Sequence, residues 1–411
     1  MKKHTQRSIV LVASFIICTM LIGCHSGNQS VNDTGLVLLD ANQAKATLDV
    51  RITDVADVYI IPLKIGSVNV LLGRSHLRRT LFVFNDEIFI GENSQFNPQL
   101  AVFNFKGEPL RLIGSHGRGP GEYSSMNGFI VDTMTNEVII FDQAASKLMV
   151  YSTTGSFKRE QLLEGSARYT DIENMNDQYL LAYNGRSKVK TGETITAAYA
   201  SILEPNTLYD RGKAFTLYDK QTLAEVDFCN FEYAKPAQRF TYALYSYLTT
   251  TKDGVYITNT RSDTIYFIDR NVNFFPKFVD VTDYADKLHE TLLYPIVETE
   301  KYVFFSVETE TAQGNRNKRK QLVYDKNVKQ FFSLSTGLPE RQKASPMWDA
   351  FFNNKFTFPP YVLTLNHNYV SILMHPEYLW ECYHELPENF KEITKSLKID
   401  DNPVLILMKL R

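Results

Sequence analysis

A short apolar burst returns six times along the chain, at residues 88–90, 138–141, 179–182, 255–258, 302–305 and 369–373. Most bursts are followed, across a polar turn, by a second run of the same style, at 100–105, 148–151, 265–269 and 322–325. Short runs rich in Val, Ile, Tyr and Phe and punctuated by Asn, Asp and Gly predict β-strands. The clearest unit predicts strands at 126–132, 138–142, 147–151 and 157–162. The bursts are continuously apolar rather than alternating, as expected of strands covered on both faces by neighbouring sheets. Repeated four-strand units of this kind predict an all-β fold, a six-bladed β-propeller.

The starts of the bursts lie 50, 41, 76, 47 and 67 residues apart, so the longer intervals carry insertions. Within units three, five and six these are residues 184–213, 308–319 and 375–402, the last with a helical pattern over 388–397. After that insertion the sixth unit has one strand left, 403–410, before the chain stops. The apolar run 59–65 has no partner in unit one and is assigned as the outer strand of the last blade, closing the ring. Pro62 suits an outermost strand, where a missing N–H breaks no ladder. In an up-and-down sheet every loop between the second and third strands shares one face with the links between blades. All three insertions are therefore expected on that face.

Length and composition add the address. The 411 residues carry 44 basic against 46 acidic side chains, which leaves no global footprint for nucleic acid. Residues 1–23 read as a signal peptide, with Lys2, Lys3 and Arg7 before an apolar run too short to span a bilayer. Leu-Ile-Gly-Cys at 21–24 resembles the bacterial lipobox, which implies cleavage before Cys24 and its lipidation. Residues 24–50 are expected to be a flexible tether and 51–411 the propeller. The polar stretch after Cys24 bears little resemblance to the acidic run that goes with surface export in some lipoproteins, which favours the periplasmic side of the outer membrane and a monomer held there by its lipid. Only Cys229 and Cys382 remain in the folded body; they can pair in an oxidising compartment or sit buried as small apolar residues.

The run Ile-Gly-Ser-His-Gly-Arg-Gly-Pro-Gly-Glu-Tyr at 113–123 and the closing Asp-Asn-Pro-Val-Leu-Ile-Leu-Met-Lys-Leu-Arg at 401–411 resemble the six-bladed β-propeller lipoproteins of Bacteroidetes. That family is of largely undefined function, and the resemblance implies no catalytic residues. Residues 117–123 fall on the first link between blades, so Arg118, Glu122 and Tyr123 are candidate ligand contacts. The same residues equally suit an architectural corner in which the glycines permit the turn and Tyr123 packs. Four cations crowd residues 314–320, where Arg316 and Arg319 are candidates for meeting an anionic glycan or lipid head group, although a solvated charge run has the same appearance.

Enzyme signals are sparse. The eight histidines show no metal-ligand spacing, and no Gly-x-Ser-x-Gly is present. Propeller lactonases gather carboxylate and Asn ligands from several blades, for which Asn127, Asp132, Glu173 and Glu298 are the residues near inner strands. Asp-Thr-Met at 132–134 and Asp-Thr-Ile at 263–265 resemble a short O-glycosylation sequon. The sequence therefore supports a lipid-anchored binding or scaffold propeller for a glycan, peptide or envelope protein, without a cofactor. The alternative is a metal-assisted hydrolase, lactonase or lyase working in the axial funnel.

Overall fold

The structure is a computed structural model that describes residues 35–411, apart from 49, 51, 73–79, 93–97, 164–170, 184–186, 190–193, 196–208, 211–214, 230–247, 259–262, 283–289, 311–315, 335–364, 367, 382 and 387. The signal segment, Cys24 and Cys382 lie outside the described residues. Six antiparallel sheets surround an axis, each built of four strands in up-and-down order from the axis outward. Blade 1 is Thr80–Phe84, Glu87–Glu92, Gln99–Asn104 and Pro109–Leu112. Blade 2 is Gly128–Asp132, Glu137–Asp142, Lys147–Ser152 and Phe157–Leu162, the order expected from the pattern of apolar bursts. Blade 3 has Asp171–Asn174, Tyr179–Tyr183, Phe215–Asp219 and Glu225–Cys229, and blade 4 has Leu248–Thr250, Gly254–Ile257, Thr264–Asp269 and Phe274–Asp280. Blade 5 comprises Glu290–Glu298, Tyr302–Glu310, Arg316–Asp325 and Gln330–Leu334.

Blade 6 is assembled from both ends of the chain. Leu365–Asn366, Tyr369–Met374 and Val404–Leu410 are completed by Ala56–Pro62, with Ala56 opposite Leu410 and Pro62 opposite Val404. The closing strand starts three residues earlier than the apolar run suggests and stops at Pro62, which lacks the N–H to continue. Leu63 then turns inward, its N–H donating to Pro403 O at 3.2 Å.

The buried apolar residues form six clusters among the described residues, and each lies between two consecutive blades. This is why the second strands are apolar on both sides: Ile88, Ile90, Ile139 and Val255 have no solvent face to serve. Between blades 4 and 5 the filling is aromatic, with Phe278 edge-on to Phe305 at 5.0 Å between ring centres.

Segment 36–50 is more than a tether. Val37–Leu39 adds a fifth strand, parallel, to the outer edge of blade 4, and Lys45–Leu48 adds one to blade 5. Val37, Leu39 and Ala41 are buried in the core between blades 4 and 5, and Val50 in the core between 5 and 6. The expectation of a flexible tether as far as residue 50 is therefore corrected: its apolar residues find neighbouring edges to bury against.

A clasp repeats between blades. Arg111, on the outer strand of blade 1, donates to Glu87 Oε1 at 2.8 Å and to Thr153 O, in blade 2's outer turn, at 2.8 Å. Arg159 occupies the same register in blade 2, donating to both Glu137 oxygens at 2.9 Å and to Lys220 O in blade 3 at 3.0 Å.

Glycines mark the seams as well, Gly107 between blades 6 and 1 and Gly155 between blades 1 and 2. Gly107 has φ +74°, and a Cβ on it would lie 1.9 Å from Pro62 O; on Gly155, with φ +100°, it would lie 2.9 Å from Leu112 O. Gly107→Ala is expected to cost about 2–3 kcal/mol, from the left-handed backbone and from pushing the closing strand off blade 1. Urea unfolding of the mature chain checks this; a loss below about 0.5 kcal/mol would mean that the seam yields freely.

Candidate functional site

Chain direction puts the loops between second and third strands, and every link between blades, at one end of the ring. Four features build this face. The first is the corner between blades 1 and 2. Ser115–His116 runs parallel to Glu122–Tyr123, and Gly117 N donates to Tyr123 O at 3.0 Å. Glu122 folds back over the glycines: its Oε2 accepts from Gly119 N at 2.8 Å and would stand 2.0 Å from a Cβ on Gly117. Tyr123 is buried, its hydroxyl donates to Ile113 O at 3.3 Å, and burial pushes that hydroxyl's pKa up to about 12. Tyr151 of blade 2 donates to Gly121 O at 3.0 Å, and Lys147 to Glu122 O at 3.2 Å. Of the three candidates here, Glu122 and Tyr123 thus hold the corner, and Arg118 alone is exposed at its tip, with no ion pair among the described residues.

Directly after the corner, Asp142 ends the second strand of blade 2 with a fully buried carboxylate. It accepts from Ser124 N at 2.7 Å, Ser125 N at 3.1 Å, Ser125 Oγ at 2.8 Å and Ala145 N at 3.1 Å. Neutral donors satisfy this charge, so it binds the corner to the blade.

The second feature is the extension of blade 5. Of residues 308–319, expected as a loop, 308–310 and 316–319 instead continue the flanking strands, so Arg316 and Arg319 sit within Arg316–Asp325. The register sets Glu308 opposite Arg319 and Glu310 opposite Arg316. Side chains of this segment lie outside the description.

The third is the blade 6 insertion, with helices Pro376–Glu381 and Glu388–Lys395 and a short turn Tyr383–Glu385 between them. Leu379, Leu386 and Phe390 bury the helices against the core between blades 5 and 6. The fourth is the blade 3 insertion, with the short strands Ser187–Val189, Thr194–Ile195 and Tyr209–Asp210, which pair into a small sheet.

At the opposite end the residues considered for a metal site are otherwise engaged. Asp132 pairs with Lys220 across blades 2 and 3 at 3.4 Å, and Glu298 with Lys326 at 3.0 Å. On the loop-bearing face Asn127 donates to Gln143. Burial holds Arg270 below its ordinary pKa, against the opposing pull of Glu173, and its guanidinium donates to Asn174 O at 2.8 Å, Met175 O at 2.5 Å and Lys252 O at 3.1 Å, joining the inner ends of blades 3 and 4. Among the described residues, no group of three or more His, Cys, Asp and Glu could hold a metal ion. The sequence reading missed Lys220, Arg270 and Asn402, because ordinary turn residues carry no local sign of a partner in another blade.

Six inter-blade cores, a sheet shared by the chain ends and a loop-bearing face define a six-bladed β-propeller. The chain belongs to the family described as a domain of unknown function, DUF4934, which matches residues 55–409. No curated protein matches it. Among solved structures it is similar to a candidate exported protein of Bacteroides fragilis, at 17% identity and TM-score 0.62, over 92% of this chain and 99% of that one. A member of the DUF4221 family from Bacteroides vulgatus matches at 10% identity and TM-score 0.48, over 86% of this chain and 97% of that one. A catalytically inactive virginiamycin B lyase from Staphylococcus aureus matches at 9% identity and TM-score 0.35, over 86% of this chain and 99% of that one.

Proposed function

We propose that this protein is a lipid-anchored envelope propeller that recognises a glycan, peptide or envelope protein on its loop-bearing face. One observation carries the reading: the framework spends its charged and polar groups on itself, while insertions in blades 3, 5 and 6 gather at the end where Arg118 is presented. A rigid ring with decorated loops suits recognition, since the backbone is ordered before the ligand arrives. The lipobox at 21–24 supplies the membrane partner, with acyl chains on Cys24 contributing ~0.8 kcal/mol per buried methylene. The likeness to an exported protein supports an envelope location, and the polar tether supports the periplasmic side of the outer membrane. The propeller is expected to act as a monomer. Arg316 and Arg319 extend the recognition surface along the blade 5 hairpin.

Two measurements test this, one on the full-length protein in cells and one on the mature chain. Cys24→Ala should abolish acyl labelling and move the chain out of the membrane fraction. The mature chain should bind a component of a glycan and peptide screen, with affinity lowered about 3- to 10-fold by Arg118→Ala at unchanged stability. Stoichiometric, tightly held metal together with hydrolysis of a screened compound would overturn recognition as the task.

A further inference from the structure

Trp380 lies in the last turn of the first helix of the blade 6 insertion and leaves 40% of its surface in water, although large aromatic residues normally return their area to a core. Its orientation is nonetheless fixed. The indole N–H donates to Leu397 O at 3.2 Å, and Tyr383 stacks on the ring at 5.5 Å between centres and 23° between planes. His384 stands edge-on to Tyr383 at 5.7 Å, so three rings form a short ladder. Leu379, one residue before Trp380, is fully buried, which ties the ladder to the rigid core between blades 5 and 6. Exposed groups of both signs lie close along the chain: Glu377 one helical turn before Trp380, Glu381 next to it, and Lys398 next to the residue whose carbonyl holds the indole.

We propose that this ladder is a saccharide-stacking platform. A sugar ring offers a face of C–H bonds, weakly positive, to the negative face of an aromatic ring, and its hydroxyls point outward at the rim. A preset aromatic surface takes that face with little ordering cost. Charged and imidazole groups of both signs then meet the hydroxyls, as donors and as acceptors. Carboxylates beside the rings disfavour a polyanion, so the ligand class is a neutral oligosaccharide. This inference rests on the recognition reading above and names its site and ligand class.

Calorimetric titration of the mature chain with hexasaccharides of β-1,4-glucose, α-1,4-glucose, α-1,6-mannose and β-1,4-N-acetylglucosamine tests it. At least one should bind. Trp380→Ala should weaken that sugar about 10- to 30-fold, Tyr383→Ala should weaken it less, and Trp380→Phe should retain most of the affinity. Urea unfolding of each variant separates a lost contact from a lost fold, and Trp380→Phe carries the comparison if the alanine variant unfolds. A sugar that binds Trp380→Ala and wild type equally overturns the platform while leaving recognition in place. A wild type that binds none of the four also overturns it, and recognition falls with it only if the peptide screen is blank too.

Discussion

Asn402→Ala should lower the unfolding free energy by about 3–5 kcal/mol, because one side chain joins both ends of the chain. Asn402 is fully buried just before the last strand. Its Oδ1 accepts from Leu72 N at 2.7 Å, and its Nδ2 donates to Val70 O at 2.7 Å and Lys64 O at 3.1 Å. Those three groups belong to the link that carries the closing strand into blade 1. Alanine leaves the N–H of Leu72 and the carbonyl of Val70 without a partner in a dry setting, at about 1–3 kcal/mol each. Asn402→Asp should cost still more, since a carboxylate keeps the acceptor but turns its second oxygen toward two carbonyls. Urea denaturation of the three proteins decides the matter. A loss under about 0.5 kcal/mol for alanine, or an aspartate no worse than alanine, would show that the ring is closed by the strand ladder alone.

Lys220→Met is expected to cost about 3 kcal/mol by stranding a buried charge. The side chains of Lys220 and Asp132 are only 5% and 3% exposed, and their atoms meet at 3.4 Å between blades 2 and 3. Methionine keeps the aliphatic stem but leaves the carboxylate with Thr135 Oγ1 at 2.8 Å and Met134 N at 3.2 Å as its donors. Those two bonds hold the loss near the lower edge of the usual 3–5 kcal/mol. Adding Asp132→Asn to Lys220→Met should recover most of the stability, since both charges are then gone. Asp132→Asn alone should behave differently with pH. Burial already holds the Lys220 ammonium below its ordinary 10.5, against the opposing pull of Asp132. Without that partner the folded value drops further. Between it and the unfolded value folding releases a proton, so the variant gains stability as pH rises toward 10 (approximately the unfolded lysine value). A double mutant as unstable as Lys220→Met would sink this account.

The seams explain which parts of the motif at 113–123 are structural. From the sequence, Arg118, Glu122 and Tyr123 are equally eligible as ligand contacts. The turn geometry separates them: Gly117 leaves room for the Glu122 carboxylate, which caps Gly119, and Tyr123 is drawn under the loop by its apolar ring. Likewise Asp-Asn-Pro at 401–403 reads as a turn before a strand, and only the fold shows Asn402 reaching residues more than 300 positions away. Trp380 carries no motif, and its significance comes from being held in place while still exposed.

By itself the sequence determined the repeated strands, the number of blades, the closing of blade 6 by the N-terminal run and the sites of the three insertions. Those features are written in local hydrophobic periodicity and turn chemistry, which each segment carries wherever it lies. Tertiary structure alone decided that Val37–Leu39 and Lys45–Leu48 line blades 4 and 5, and that residues 308–310 and 316–319 of the blade 5 insertion continue its strands. It alone matched Lys220 to Asp132 and Asn402 to the link after the closing strand. These are encounters between residues far apart in the chain, and a pairing energy that exists only once two blades meet leaves no periodic trace in either segment.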